Sequence, residues 1–151
     1  MTDIILFKRE QIYFEDVTEG MQLGPLVKGP ITDMDNTKFS SMHCDFYPGH
    51  YDNKWAVEMD RIQGAIIYGF LVITYMSQLV TDWIMPNGFM RKFSTKVRAQ
   101  TFIDDVITYS GKVTRKYEKD GLHLVDCEVQ GTKQDGTMVV EGKAIVELPV
   151  R

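Results

Sequence analysis

Cysteine is scarce in this chain: Cys44 and Cys127 are the only two in 151 residues. Neither belongs to a spaced set of the kind that builds a zinc site or a disulfide framework, so both read as free thiols of a reducing compartment. Long apolar runs are missing as well. The greasiest stretch, Ala65 to Ile73, falls short of the ~20 residues that a membrane span needs, and Thr74, Ser77 and Gln78 interrupt it. The opening Met1–Lys8 has no basic n-region and only a brief apolar run, which argues against a signal peptide and for a cytoplasmic protein. No basic stripe interleaved with aromatics is present, and the net charge is −4 with a pI near 5.3, so nucleic acid is not an expected partner. Without repeats, low-complexity tracts or linker-like stretches, one domain over residues 1–151 is the simplest organisation.

What is there has the balance of a globular domain, 44% apolar and 25% charged. The opening third is rich in turns. Gly20, Gly24-Pro25 and Gly29-Pro30 punctuate short extended pieces that include Gln22-Leu23 and Leu26-Val27. Thr32, followed three residues later by Asp35, resembles a capping box with an acid in place of the usual Glu or Gln. A short helix through Phe39 and Met42 should follow and deliver Asp45 into a Pro-Gly turn.

From about residue 64 to 83 runs the longest periodic segment. Ile66, Phe70, Ile73, Ser77 and Val80 fall near one face, while Ile67, Leu71, Tyr75 and Leu79 widen it to almost all sides. A helix apolar nearly all round is one surrounded by protein. Beyond Pro86-Asn87-Gly88 the period becomes alternating. Phe93, Thr95, Val97 and Ala99 form one set, 106–113 a second strand, 122–130 a third and 138–148 a fourth. Asp120-Gly121 and Asp135-Gly136 mark two hairpins. The pattern predicts an α+β arrangement: an antiparallel meander curved around a long central helix.

The stretch with most chemistry is Asp45-Phe46-Tyr47-Pro48-Gly49-His50. A carboxylate and an imidazole brought together across a sharp bend can hold one water molecule and exchange its protons with a bound substrate. Asp45 can equally be a turn residue capping its own loop. His43, Cys44 and His50 lack a fourth ligand with suitable spacing, so packing is preferred to a metal site. His123, flanked by Leu122 and Leu124 on a strand, is expected to face solvent.

These six residues match the Asp, Pro and His of the Asp-x-Asn-Pro-x-His signature of the MaoC-like dehydratase and (R)-specific enoyl-CoA hydratase family. Tyr68-Gly69-Phe70-Leu71 stands where that family commonly has His-Gly-Met-Leu, and Gln78 to Trp83 is also similar. The resemblance covers roughly residues 30 to 148. Two departures stand out: Tyr47 replaces the family's Asn, and Tyr68 replaces the His before the glycine. The resemblance implies a hot-dog fold, with a curved antiparallel sheet wrapped around the long helix. It also implies reversible addition of water to a 2-enoyl thioester, of coenzyme A or of an acyl carrier, without metal or nucleotide cofactor.

Under that reading Asp45 and His50 are catalytic, and the Gly69 N–H binds the thioester oxygen at the start of the helix. Ser77 matches a family serine that hydrogen-bonds near the catalytic Asp, or else bonds back to its own helix. Tyr47 and Tyr68 line an acyl tunnel or are core aromatics. The nine methionines are read as ordinary core filling more readily than as an adaptable acyl pocket. By resemblance the protein should form a homodimer or higher oligomer. Two other readings stand beside this one. The chain is a non-catalytic or half-active subunit of a heteromeric hydratase, or a hot-dog thioesterase. The thioesterase ranks last because residues 64–80 carry no carboxylate.

Overall fold

The computed structural model describes residues 10–151; Met1–Lys8, on which the expectation of no signal peptide rests, lies outside them. Strand β1 (Gln22–Lys28) leads into helix α1 (Asp33–Met42), the short α2 (Asn53–Glu58) and the central α3 (Gly69–Ile84). Strands β2 (Phe89–Val97), β3 (Ile107–Lys119), β4 (Leu122–Lys133) and β5 (Met138–Glu147) complete the chain. The five strands form one antiparallel sheet in the order β1-β3-β4-β5-β2. A register shift interrupts each of its ladders, and such irregularities bend a sheet.

Local chemistry sets the elements that the sequence announced. Thr32 Oγ1 accepts from Asp35 N (3.1 Å) and Asp35 Oδ2 accepts from Thr32 N (3.2 Å), a reciprocal cap that starts α1. Hydrogen bonds from the Thr32 side chain and backbone hold the Asp35 carboxyl below its ordinary pKa. Asp120 and Gly121 have φ of +52° and +77°, the left-handed pair that a two-residue hairpin requires.

Three expectations about the helix and strands need correction. The strands after α3 are not a simple meander, because β2 crosses to the far edge and pairs with β5. Residues 98–106 carry the chain over the start of α3 instead of turning back. They are tied there by Ile67 N to Thr101 O (2.7 Å), Ile31 N to Asp105 O (3.0 Å) and an Ile66–Phe102 bridge. Second, the periodic segment runs from about 64, whereas α3 begins at Gly69, the helix start that the resemblance implied. Ala65 to Tyr68 is extended, and its N–H groups reach Asn53 Oδ1, Gly49 O, Thr101 O and Asn36 Oδ1 in turn. A helix points all its N–H groups toward one end and could not reach these partners together. Third, the buried face of α3 is Leu71, Val72, Met76, Leu79, Val80 and Ile84, whereas Phe70 is 57% exposed. A helix apolar on nearly every side does not fix its own rotation; docking on the sheet does.

The core lies between α3 and the inner sheet face formed by Tyr109, Val113, Val125, Cys127, Val129, Val140, Ala144 and Val146. Burial pushes the Cys127 thiol up to about 12, while Cys44 is exposed; both are free. His123 is not simply solvent-facing: its ring packs on Phe14 with centroids 4.9 Å apart. The Tyr109 hydroxyl is buried without a hydrogen-bond partner, and desolvation pushes its ionisation far above the ordinary range. Tyr109→Phe removes that stranded group and should raise stability by about 1 kcal/mol. Denaturant midpoints at unchanged m measure it.

Candidate active site

The site grows out of the C-terminal end of α1. His43 N donates to Ser40 O, Cys44 takes a left-handed φ of +55°, and Asp45 N also donates to Ser40 O (3.0 Å). The chain therefore leaves the helix abruptly and carries Asp45 into the bend. Asp45 Oδ1 accepts from Tyr47 N (3.1 Å), closing the local turn. Its Oδ2 stands 3.8 Å from His50 Nε2. One oxygen of this carboxylate thus closes the turn while the other faces the imidazole.

Gly49 fits closely between them. A Cβ there would lie 2.5 Å from Tyr47 Cε1 and 2.6 Å from Asp60 Oδ2. The 3₁₀ turn Pro48–His50 then places the imidazole. His50 is buried, with 11% of its side chain exposed against 33% for Asp45. Its Nδ1 is 2.9 Å from Ile66 O. A carbonyl only accepts, so Nδ1 carries the proton, and in the neutral ring Nε2 turns a lone pair toward Asp45. At 3.8 Å the two groups are too far apart for a direct hydrogen bond. One water can touch both at about 2.8 Å, donating a hydrogen to each.

His50 and Gly69 line the same cavity, of about 400 Å³, whose walls include Ile67, Val72, Val97 and Ala99. Arg98 stands at this cavity and pairs with Glu141. Gly69 is the first residue of α3, so its N–H has no acceptor within the helix and lies at the positive end of the dipole. A Cβ on Gly69 would meet nothing within 4 Å. Packing does not demand this glycine, which is one of the residues lining the cavity.

A larger groove of about 610 Å³ crosses the outer sheet face. Its charges satisfy one another, with Glu128 between Lys112 (3.7 Å) and Lys143 (3.6 Å). It lacks the imidazole and the open helix start, so the smaller cavity is the candidate site.

Tyr47 and Tyr68 both stand edge-on to His50, with centroids at 5.6 and 5.1 Å. Tyr68 also meets His43 (5.6 Å), which packs on Phe39 (4.6 Å). Neither Tyr47 nor Tyr68 is among the residues that line the cavity, and Tyr47 is exposed, not a core aromatic. Ser77 is not brought to Asp45 by any hydrogen bond: its Oγ donates to Thr74 O (2.8 Å), within α3. Among the described residues no cluster of three or more His, Cys, Asp or Glu could hold a metal ion, and no helix is long and apolar enough to cross a membrane.

Sequence reasoning missed Asn36. It is fully buried, and its amide reaches His50 O (2.7 Å), Ile66 O (3.0 Å) and Tyr68 N (2.7 Å). The available signal was position: Asn36 shares the inner face of α1 with Ser40, one turn on, and both are buried.

No protein-family model matches the chain, and no curated protein matches it. Solved structures do. An (R)-hydratase from A. caviae involved in PHA biosynthesis has a TM-score of 0.79 at 21% identity, over 89% of this chain and 99% of that one. A MaoC-like dehydratase from Rhodospirillum rubrum gives 0.79 at 16% identity, over 93% and 98%. A chain of the ChsH1-ChsH2 complex from Mycobacterium tuberculosis gives 0.74 at 21% identity, over 87% and 98%. The likeness establishes the fold: this chain is an α+β hot-dog, as the resemblance implied.

Proposed function

We propose that this chain is a single MaoC-like unit, a hydratase/dehydratase that adds water reversibly to a 2-enoyl thioester, with coenzyme A as the acyl carrier. The observation that carries this reading is the 3.8 Å separation of Asp45 Oδ2 and His50 Nε2, with His50 and Gly69 lining one cavity. In the hydration direction, a water held by both acceptors attacks the β-carbon. The pair takes one of its protons as the C–O bond forms. The alkene electrons move onto the thioester oxygen, where the Gly69 N–H stabilises the enolate. Collapse of the enolate forms the α C–H bond with a proton returned by the same pair. Water is consumed, a 3-hydroxyacyl thioester results, and no redox or metal chemistry is called on.

The test is incubation with crotonyl-CoA and with longer and branched enoyl-CoAs. Loss of enoyl absorbance without thiol release is the expected result. Release of free thiol would replace this reading with the thioesterase, and inertness toward every enoyl thioester offered would remove it.

A second reading has a specific support. One of the similar structures is a two-chain complex, and both departures from the family signature, Tyr47 and Tyr68, flank His50. The chain would then be one half of a heteromer. The homodimer expected by resemblance should be active alone, whereas a heteromer subunit gains activity only when its partner is added.

A further inference from the structure

We propose that Asn36 is a positioning residue that fixes the tautomer and orientation of His50 and ties them to the start of α3. Its role in turnover rests on the hydratase reading; its role in holding the imidazole does not. Asn36 Oδ1 accepts from Tyr68 N (2.7 Å), while Nδ2 donates to His50 O (2.7 Å) and Ile66 O (3.0 Å). The amide can point only this way. Flipped, it would set two donors against each other at Tyr68 and an oxygen against two carbonyls.

Ile66 O is the hinge of the arrangement. It accepts from Asn36 Nδ2 on one side and from His50 Nδ1 (2.9 Å) on the other. The carbonyl that sets the imidazole proton is thus aimed by Asn36, and the main chain of His50 is anchored by the same amide. In water a neutral histidine ring exchanges between its two tautomers, and in a protein the hydrogen bond made by one nitrogen decides which form persists. Here Nδ1 keeps the proton and Nε2 is held bare toward Asp45. The third bond places the Tyr68 amide, and so the turn that presents Gly69, in register with the imidazole. One side chain from α1 therefore couples the proton-transfer group to the helix start that receives the thioester oxygen.

The test begins on the unaltered chain with ¹⁵N-labelled histidine. Long-range ¹H–¹⁵N spectra, with His50 assigned through His50→Asn, should show Nδ1 protonated and Nε2 bare in the neutral ring. Finding the proton on Nε2 would overturn the proposal without any Asn36 variant. Asn36→Leu removes all three bonds, and Asn36→Asp, an isostere, keeps the acceptor for Tyr68 N but loses the amide hydrogens. In either folded variant His50 should relax to a mixture of tautomers. Turnover should fall about 100-fold, the scale of a small misplacement of a reacting group, with KM moved by no more than about threefold. A folded variant that keeps both the single tautomer and full turnover would also overturn it. A tautomer change in a protein that never hydrates enoyl thioesters would keep Asn36 as the orienter of His50 and discard the hydratase reading instead.

Discussion

Asp45→Asn and His50→Ala will each lower the hydration of crotonyl-CoA by about 100- to 10,000-fold, the range of a lost general acid or base. The loss should fall on turnover more than on KM, because in the proposed mechanism both side chains meet the reacting water and not the acyl or carrier portion of the substrate. The two variants differ in their effect on folding. Asp45 lies in an exposed bend, and an Asn there still accepts from Tyr47 N through its amide oxygen. His50 is buried and donates to Ile66 O, so His50→Ala should also cost about 1 kcal/mol of stability. His50→Asn, whose amide can keep that donor, separates the two effects. It should restore the denaturation midpoint without restoring turnover. Normal turnover in Asp45→Asn would remove the carboxylate from the mechanism.

The pair was legible in the sequence because its geometry is local. Asp45 and His50 are brought together by one bend, whose Pro48 and Gly49 are visible in the chain. The cap of α1 and the Asp-Gly hairpins were legible for the same reason: the residues that satisfy each turn lie within it. What failed depended on distant partners. The start of α3 is set by Asn53, Gly49, Thr101 and Asn36, and the edge position of β2 by the anchoring of residues 98–106. Asn36 bonds across separations of 14, 30 and 32 residues, and no window of sequence around it contains any of those groups. The rotation of α3 failed for a related reason. Its apolar residues are too evenly spread to choose a face, and Ser77 ended on a side where its own helix backbone satisfies it.

Gly69→Ala tests the other half of the mechanism, because here folding and activity should move in opposite directions. Gly69 opens α3, its φ lies outside the left-handed region, and an added Cβ has nothing within 4 Å. Alanine is the better helix former, so stability should hold or rise by up to about 1 kcal/mol. Gly69 lines the cavity, however, and under the proposed mechanism the new methyl would crowd the thioester oxygen that its N–H receives. A thioester pushed back by about 1 Å loses roughly 100-fold in rate, and Gly69→Val should lose more. Thermal unfolding and kcat/KM measured on the same preparations decide it. A variant that melts no lower than the parent and turns over slowly assigns the open space to the substrate. Unchanged turnover would mean that the thioester oxygen is received elsewhere, and the Asp45–His50 pair would need a different electrophilic partner.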